Sequence, residues 1–145
     1  MQQQTTEKLL NDHSQQFIEM ALKTNLCSQI ENADGYGKRT GECGDTVEMF
    51  IKISGNDIDQ IRYTVDGCLN TNACANTLVH LVQGKSMNDA WNISPDHIID
   101  YLKTLPGQES HCADLACGAF YLALKNAQDL NSKPWKKNFQ KKKSY

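Results

Sequence analysis

The chain has 145 residues, 39% hydrophobic and 22% charged with a formal net charge of −2, the balance of one globular domain with a real core. Its apolar runs fall far short of the roughly 20 residues that span a bilayer, and its start, MQQQTTEKLL, is polar where a secretory leader is apolar, so a cytoplasmic protein without a membrane partner is expected. Six cysteines with no CxxC pair argue against a secreted disulfide framework and direct attention to metal or thiol chemistry.

From Glu7 to Thr24, Leu10, Phe17 and Ala21 recur at helical spacing beside Leu9, Ile18 and Leu22, which predicts an amphipathic helix. Ile30 to Gly44 holds four glycines and no apolar period, the pattern of an extended, pliable loop. Val47, Met49, Ile51 and Ile53 then alternate with polar positions, and after Gly55-Asn56-Asp57 so do Ile61, Tyr63 and Val65; the two runs predict an antiparallel hairpin. From Asn70 the period turns helical through Leu78, Leu81 and Val82, with Gly84 placed for a left-handed helix end. Ser86 and Asp89 suit a short capped turn, and Ser94-Pro95 starts a further helix that Leu105-Pro106-Gly107 is expected to close. Ser110 precedes a last helical face from Cys112 to about Asp129.

The end of the chain differs in charge from its body. Residues 1–130 hold nine Lys/Arg and all 17 Asp/Glu, whereas 131–145 hold six Lys and no acid. An acidic body repels polyanions, so no nucleic-acid partner is expected, and the division is a domain over 1–130 followed by a Lys-rich, disordered tail over 131–145. Strands first and helices after predict an α+β fold.

Three cysteines sit at element boundaries. Cys43 lies in Gly41-Glu42-Cys43-Gly44-Asp45 ahead of the first hairpin strand, Cys68 follows the second strand, and Cys112 follows His111 in the first turn of the last helix. Boundaries can converge at one end of a sheet, bringing three soft thiolates together with the oxygen of Asp45 and the nitrogen of His111. That donor set suits iron, zinc or an iron-sulfur cluster, and the ligand types alone do not choose among them. Helix position favours the thiolate of Cys112, while a loop leaves Cys43 freer to move. Cys74 and Cys117 fall inside apolar stripes and read as core; His80 and His97 read as ordinary helix residues, and His13 stands in a polar segment without special company. A Cys-His hydrolase built on His111 and Cys112 fails because neighbours on a helix point about 100° apart.

These segments, Ala33-Asp34-Gly35, Gly41-Glu42-Cys43-Gly44-Asp45, Asp66-Gly67-Cys68, Gly84-Lys85-Ser86, Leu105-Pro106 and His111-Cys112, in that order, resemble the NifU/IscU-type iron-sulfur cluster assembly scaffold proteins. The resemblance runs over about residues 8–130. It implies a SufE/NifU-like domain, a small antiparallel sheet of about three strands with helices packed on one face. It also implies a transient 2Fe-2S cluster, built from iron and sulfur supplied by a cysteine desulfurase and passed to apo iron-sulfur proteins. Carried over by position, Cys43, Cys68 and Cys112 correspond to the cluster cysteines, Asp45 to the labilising aspartate and His111 to an alternative fourth ligand. Cys43 and Cys112 are both candidates to accept the persulfide, and a homodimer stays open. As a scaffold the chain is not expected to be an enzyme.

The chain also departs from the pattern. Leu105-Pro106-Gly107-Gln108-Glu109 replaces the Leu-Pro-Pro-Val-Lys-like stretch that an Hsp70-type chaperone recognises, which argues against such a chaperone here. Glu109 stands where those members carry a lysine near the cluster, making the site more negative. Cys27 replaces a glycine near the end of the first helix. A zinc-dependent sulfurtransferase of the SufU type is the alternative reading, and Zn2+ would suit the same cysteines. The short interval from Cys68 to Cys112 lacks the insertion of that branch.

Overall fold

The computed structural model describes residues 14–105 and 107–132. Strand β1 spans Gly35–Thr40, β2 Thr46–Ser54 and β3 Asp57–Asp66, in one antiparallel sheet of order β1-β2-β3. Helix α1 (Gln15–Leu22) precedes the sheet; α2 (Leu69–Val82), the short α3 (Met87–Ala90), α4 (Pro95–Leu102) and α5 (Ser110–Ser132) follow it, with a 3-10 turn over Gly107–Glu109 leading into α5. Among these residues no helix is long and apolar enough to cross a membrane.

The hairpin forms as its alternation predicts. Val47 pairs with Val65, Met49 with Tyr63 and Ile51 with Ile61, so the inward positions of both strands lie on one face. Val47, Met49, Ile51, Ile61 and Tyr63 are fully buried there, under α2 and α5. Gly55, at φ +63, takes the left-handed conformation that a two-residue connection requires.

Strand β1 corrects the expectation of a pliable loop over Ile30 to Gly44. Gly35 and Gly37 are its inward positions, and α5 lies directly on them: a Cβ on Gly35 would stand 2.3 Å from the Ala123 carbonyl oxygen, and one on Gly37 2.3 Å from that of Ala119. The strand approaches the helix backbone because it has no side chain on that face, so it shows no apolar period. The small residues of α5, Ala119, Ala123 and Ala127, complete the close packing.

The helices are fixed by side chains at their ends. Ser14 caps α1, its Oγ accepting from the Phe17 amide at 3.1 Å and donating to the Leu102 carbonyl at 2.6 Å, which ties the start of α1 to the end of α4. At the other end of α1 the orphan carbonyls are met from α2: Asn72 Nδ2 donates to Met20 and Ala21, and Asn76 Nδ2 to Met20 and Lys23, all at 3.0–3.2 Å. The expected extension of α1 back to Glu7, and His13 with it, lies outside the described residues. Ser86 caps α3 by accepting from the Asp89 amide. Ser94 and Pro95 open α4 as expected, with His97 Nδ1 accepting from the Ser94 amide at 3.0 Å. That helix stops at Leu102 rather than at Leu105-Pro106-Gly107, because Lys103 turns to φ +64. Residues 133–145, most of the expected tail, are also outside the described residues.

Candidate functional site

The chain reverses between β1 and β2 through Gly41–Asp45, a loop closed by the Gly41 amide donating to the Asp45 carbonyl at 2.9 Å and the Gly44 amide to the Gly41 carbonyl at 3.0 Å. Gly44 has φ +91, which an L side chain rarely adopts. Because Thr46 pairs with Asp66, this loop stands beside the exit of β3, where Gly67 and Cys68 lead into α2. Cys68 is the N-cap residue of α2. A Cβ on Gly67 would lie 2.5 Å from the Asp45 carboxyl carbon, so the absence of a side chain there makes room for Asp45 across the turn.

Thr71, fully buried one turn into α2, connects the parts. Its Oγ1 donates to Asp45 Oδ2 at 2.6 Å and stands 3.3 Å from Cys112 Sγ and 3.5 Å from Cys68 Sγ. The Cys68 amide adds a longer contact to the same carboxylate oxygen, at 3.4 Å. The Thr71 hydrogen bond, with help from the Cys68 amide and despite some desolvation, holds the Asp45 carboxyl below its ordinary range.

Cys112 enters from the third direction, in the first turn of α5. It is fully buried, and burial pushes its thiol up to about 12, with the nearby Glu109 and Cys68 acting in the same direction. Where the helix N-terminus led to the expectation of a favoured Cys112 thiolate, burial holds the thiol in its protonated form. Cys112 Sγ lies 3.6 Å from Glu109 Oε2, to which it donates, and 3.6 Å from His111 Nε2, so the two helix neighbours meet where their angular separation was expected to keep them apart; Glu109 Oε2 and His111 Nε2 are 3.7 Å apart.

Of the residues expected at the site, the structure brings Cys68 and Cys112 together, with Asp45 reaching them through Thr71 and His111 on the outer side. Cys68, Glu109 and Cys112 present ligand atoms all within 4.8 Å of one another. Cys43 is exposed and stands apart from that group, at the tip of the β1-β2 loop. With His111, Arg39 and Asp114 it lines a neighbouring cleft of about 550 Å³. Cys74 and Cys117 are buried in the core as expected. Cys27 is half-buried and its backbone bridges to Tyr63. His97 caps α4, and His80 Nδ1 lies 2.9 Å from the Asn76 carbonyl oxygen.

Thr71 did not stand out in the sequence as a member of this site, and Glu109 stood out only as a negative charge near it, not as a residue that meets the cysteines. Both had a signal in their spacing: each is three residues from a site cysteine, Thr71 after Cys68 and Glu109 before Cys112. At a helix start that separation puts side chains on one face.

The family described as NifU-like N terminal domain matches residues 15–133. The iron-sulfur cluster assembly scaffold protein IscU 1 of Archaeoglobus fulgidus is 33% identical over 97 residues, 66% of this chain. The chain spans 63% of the length of that relative. The scaffold protein IscU of Aquifex aeolicus is 28% identical over 118 residues, 79% of this chain and 75% of that protein. The N-terminal part of a nitrogen-fixing NifU-like protein from Brucella abortus has the same fold, with a TM-score of 0.68 at 13% identity, over 83% of this chain and 98% of that one. With 119 consecutive residues matched, the chain belongs to the NifU N-terminal-domain family.

Proposed function

We propose that this chain is a scaffold on which an iron-sulfur cluster is assembled transiently and then handed on. The observation that carries the reading is the convergence, at one end of the sheet, of Cys68, Cys112, the Asp45 carboxylate and the Cys43 loop in a member of this family. Relatives named as cluster assembly scaffolds support it.

In this reading Cys43, Cys68 and Cys112 hold the iron of a 2Fe-2S cargo, and Asp45 or His111 completes the set. A hard oxygen or a nitrogen in place of a fourth thiolate binds cluster iron less firmly, which suits a protein that has to release its cargo. Exchange of Asp45 for His111 also removes one negative charge from the site. The exposed Cys43 can meet a partner's persulfide without any helix moving, whereas the buried Cys112 cannot, so Cys43 is the first sulfur acceptor. The partners are a cysteine desulfurase and apo iron-sulfur proteins, with a second copy of the chain where clusters are combined. The chain catalyses no reaction of its own.

Anaerobic reconstitution with ferrous iron, cysteine and a cysteine desulfurase tests this. A visible cluster spectrum that moves to an apo-ferredoxin is the expected result. One tightly held zinc, no cluster and stimulation of the desulfurase would replace it with the zinc sulfurtransferase reading.

A further inference from the structure

The geometry points to Cys68, Glu109 and Cys112 as the set that first receives a ferrous ion, with Cys43 left outside it; this rests on the scaffold reading above. A tetrahedral divalent ion bound at about 2.3 Å to sulfur and about 2.1 Å to oxygen needs its thiolates about 3.8 Å apart and each sulfur about 3.6 Å from the oxygen. Glu109 Oε2 already lies 3.6 Å from Cys112 Sγ, and all three donor atoms fall within 4.8 Å of one another. Two soft sulfurs and one hard oxygen make a mixed set that iron accepts.

The other oxygen candidate is engaged. Asp45 Oδ2 takes the Thr71 hydroxyl at 2.6 Å and the Cys68 amide at 3.4 Å, whereas Glu109 Oε2, 3.7 Å from His111 Nε2, makes its hydrogen bond with Cys112 Sγ, one of the sulfurs the ion would bind. The Glu109 side chain is 28% exposed, open enough for a hydrated ion to arrive. On binding, Fe2+ replaces the thiol protons of Cys68 and Cys112, two protons pass to water and the iron stays ferrous. Cys43 remains a free thiol for the sulfur delivery that follows. Glu109 is then the residue that admits iron, a role apart from the labilising role of Asp45.

Anaerobic titration of the full chain with Co2+, a spectroscopic stand-in for the ferrous ion, tests the assignment through thiolate-to-cobalt charge transfer. The band at one equivalent should be unchanged in Cys43→Ser and halved in Cys68→Ser and Cys112→Ser. Glu109→Gln should bind at least about tenfold more weakly, the size of effect that loss of a supporting partner at a metal site produces. Glu109→Gln is isosteric and partly exposed, so it keeps the test sharp if a buried cysteine variant fails to fold. A band lost in Cys43→Ser as fully as in Cys68→Ser, or Co2+ bound as tightly by Glu109→Gln as by wild type, overturns the assignment. Reconstitution of the same preparations separates the two levels. A wild-type cluster alongside unaltered Co2+ binding by Glu109→Gln removes the entry set and leaves the scaffold standing. Co2+ held as expected with no cluster on the wild type keeps the metal set and removes the scaffold.

Discussion

Thr71 Oγ1 donates to Asp45 Oδ2 at 2.6 Å while lying 3.3 Å from Cys112 Sγ, so a single hydroxyl links the β1-β2 loop to the first turn of α5. Its contact with Asp45 has a pH signature. The folded-state pKa of Asp45 is lowered, so its contribution to stability is present above the ordinary aspartate range and is lost as pH falls through the folded value. Thr71→Val keeps the shape and removes the hydrogen bond. Urea denaturation should show a loss of up to about 1 kcal/mol at neutral pH, kept small because the carboxylate is partly open to water. The difference from wild type should shrink in acid; equal differences at both pH values would contradict the account.

Gly67 leaves the space that Asp45 occupies. A methyl group there would meet the Asp45 carboxyl carbon at 2.5 Å, with exposed loop on either side to absorb the shift. Gly67→Ala should therefore fold and displace Asp45, and its cluster should behave like that of Asp45→Ala. Normal Asp45 chemical shifts in the variant, read by carboxylate NMR, would show that the glycine has no such role.

Asp45→Ala itself should give a more persistent cluster. The measurement is the rate of transfer to an apo-ferredoxin, with slower release expected because the hard ligand that weakens iron retention is gone. Release at the wild-type rate would remove Asp45 from that role.

Gly37 tests the packing of β1. A Cβ there would stand 2.3 Å from the Ala119 carbonyl oxygen and 2.5 Å from the Ala123 amide nitrogen, both backbone atoms of α5. Gly37→Ala should cost about 2 to 3 kcal/mol in denaturation, as overpacked sites do. Gly107→Ala, with nothing within 4 Å of its Cβ, is the matched control and should stay close to wild type.

The elements that announced themselves were those whose packing leaves a side-chain period. The alternation in β2 and β3 was readable because large apolar residues mark the buried face, and the faces of α2 and α5, rich in Ala and Cys, were readable by their helical spacing. Strand β1 was not, because its buried face is built from Gly35 and Gly37, and glycines in series look like a loop until the neighbouring helix is in place. At the site, Cys43, Cys68 and Cys112 were visible as cysteines at element boundaries. Thr71 was not, since its contacts with Asp45 and Cys112 depend on how the β1-β2 loop and α5 are set against α2, and Glu109 was visible only as a charge beside the site. The thiol of Cys112 shows the same limit: its helix position is a sequence property, but the burial that raises its pKa comes from packing.

The central claim is that Cys43, Cys68 and Cys112 together hold an assembled cluster. Its most direct test is iron and sulfide counting after anaerobic reconstitution of the full chain, with Cys43→Ser, Cys68→Ser and Cys112→Ser beside wild type. The account predicts stoichiometric cluster on wild type and loss of stable cluster in each single variant. Undiminished cluster in Cys43→Ser would contradict it, because the exposed loop cysteine would then take no part in holding the cargo.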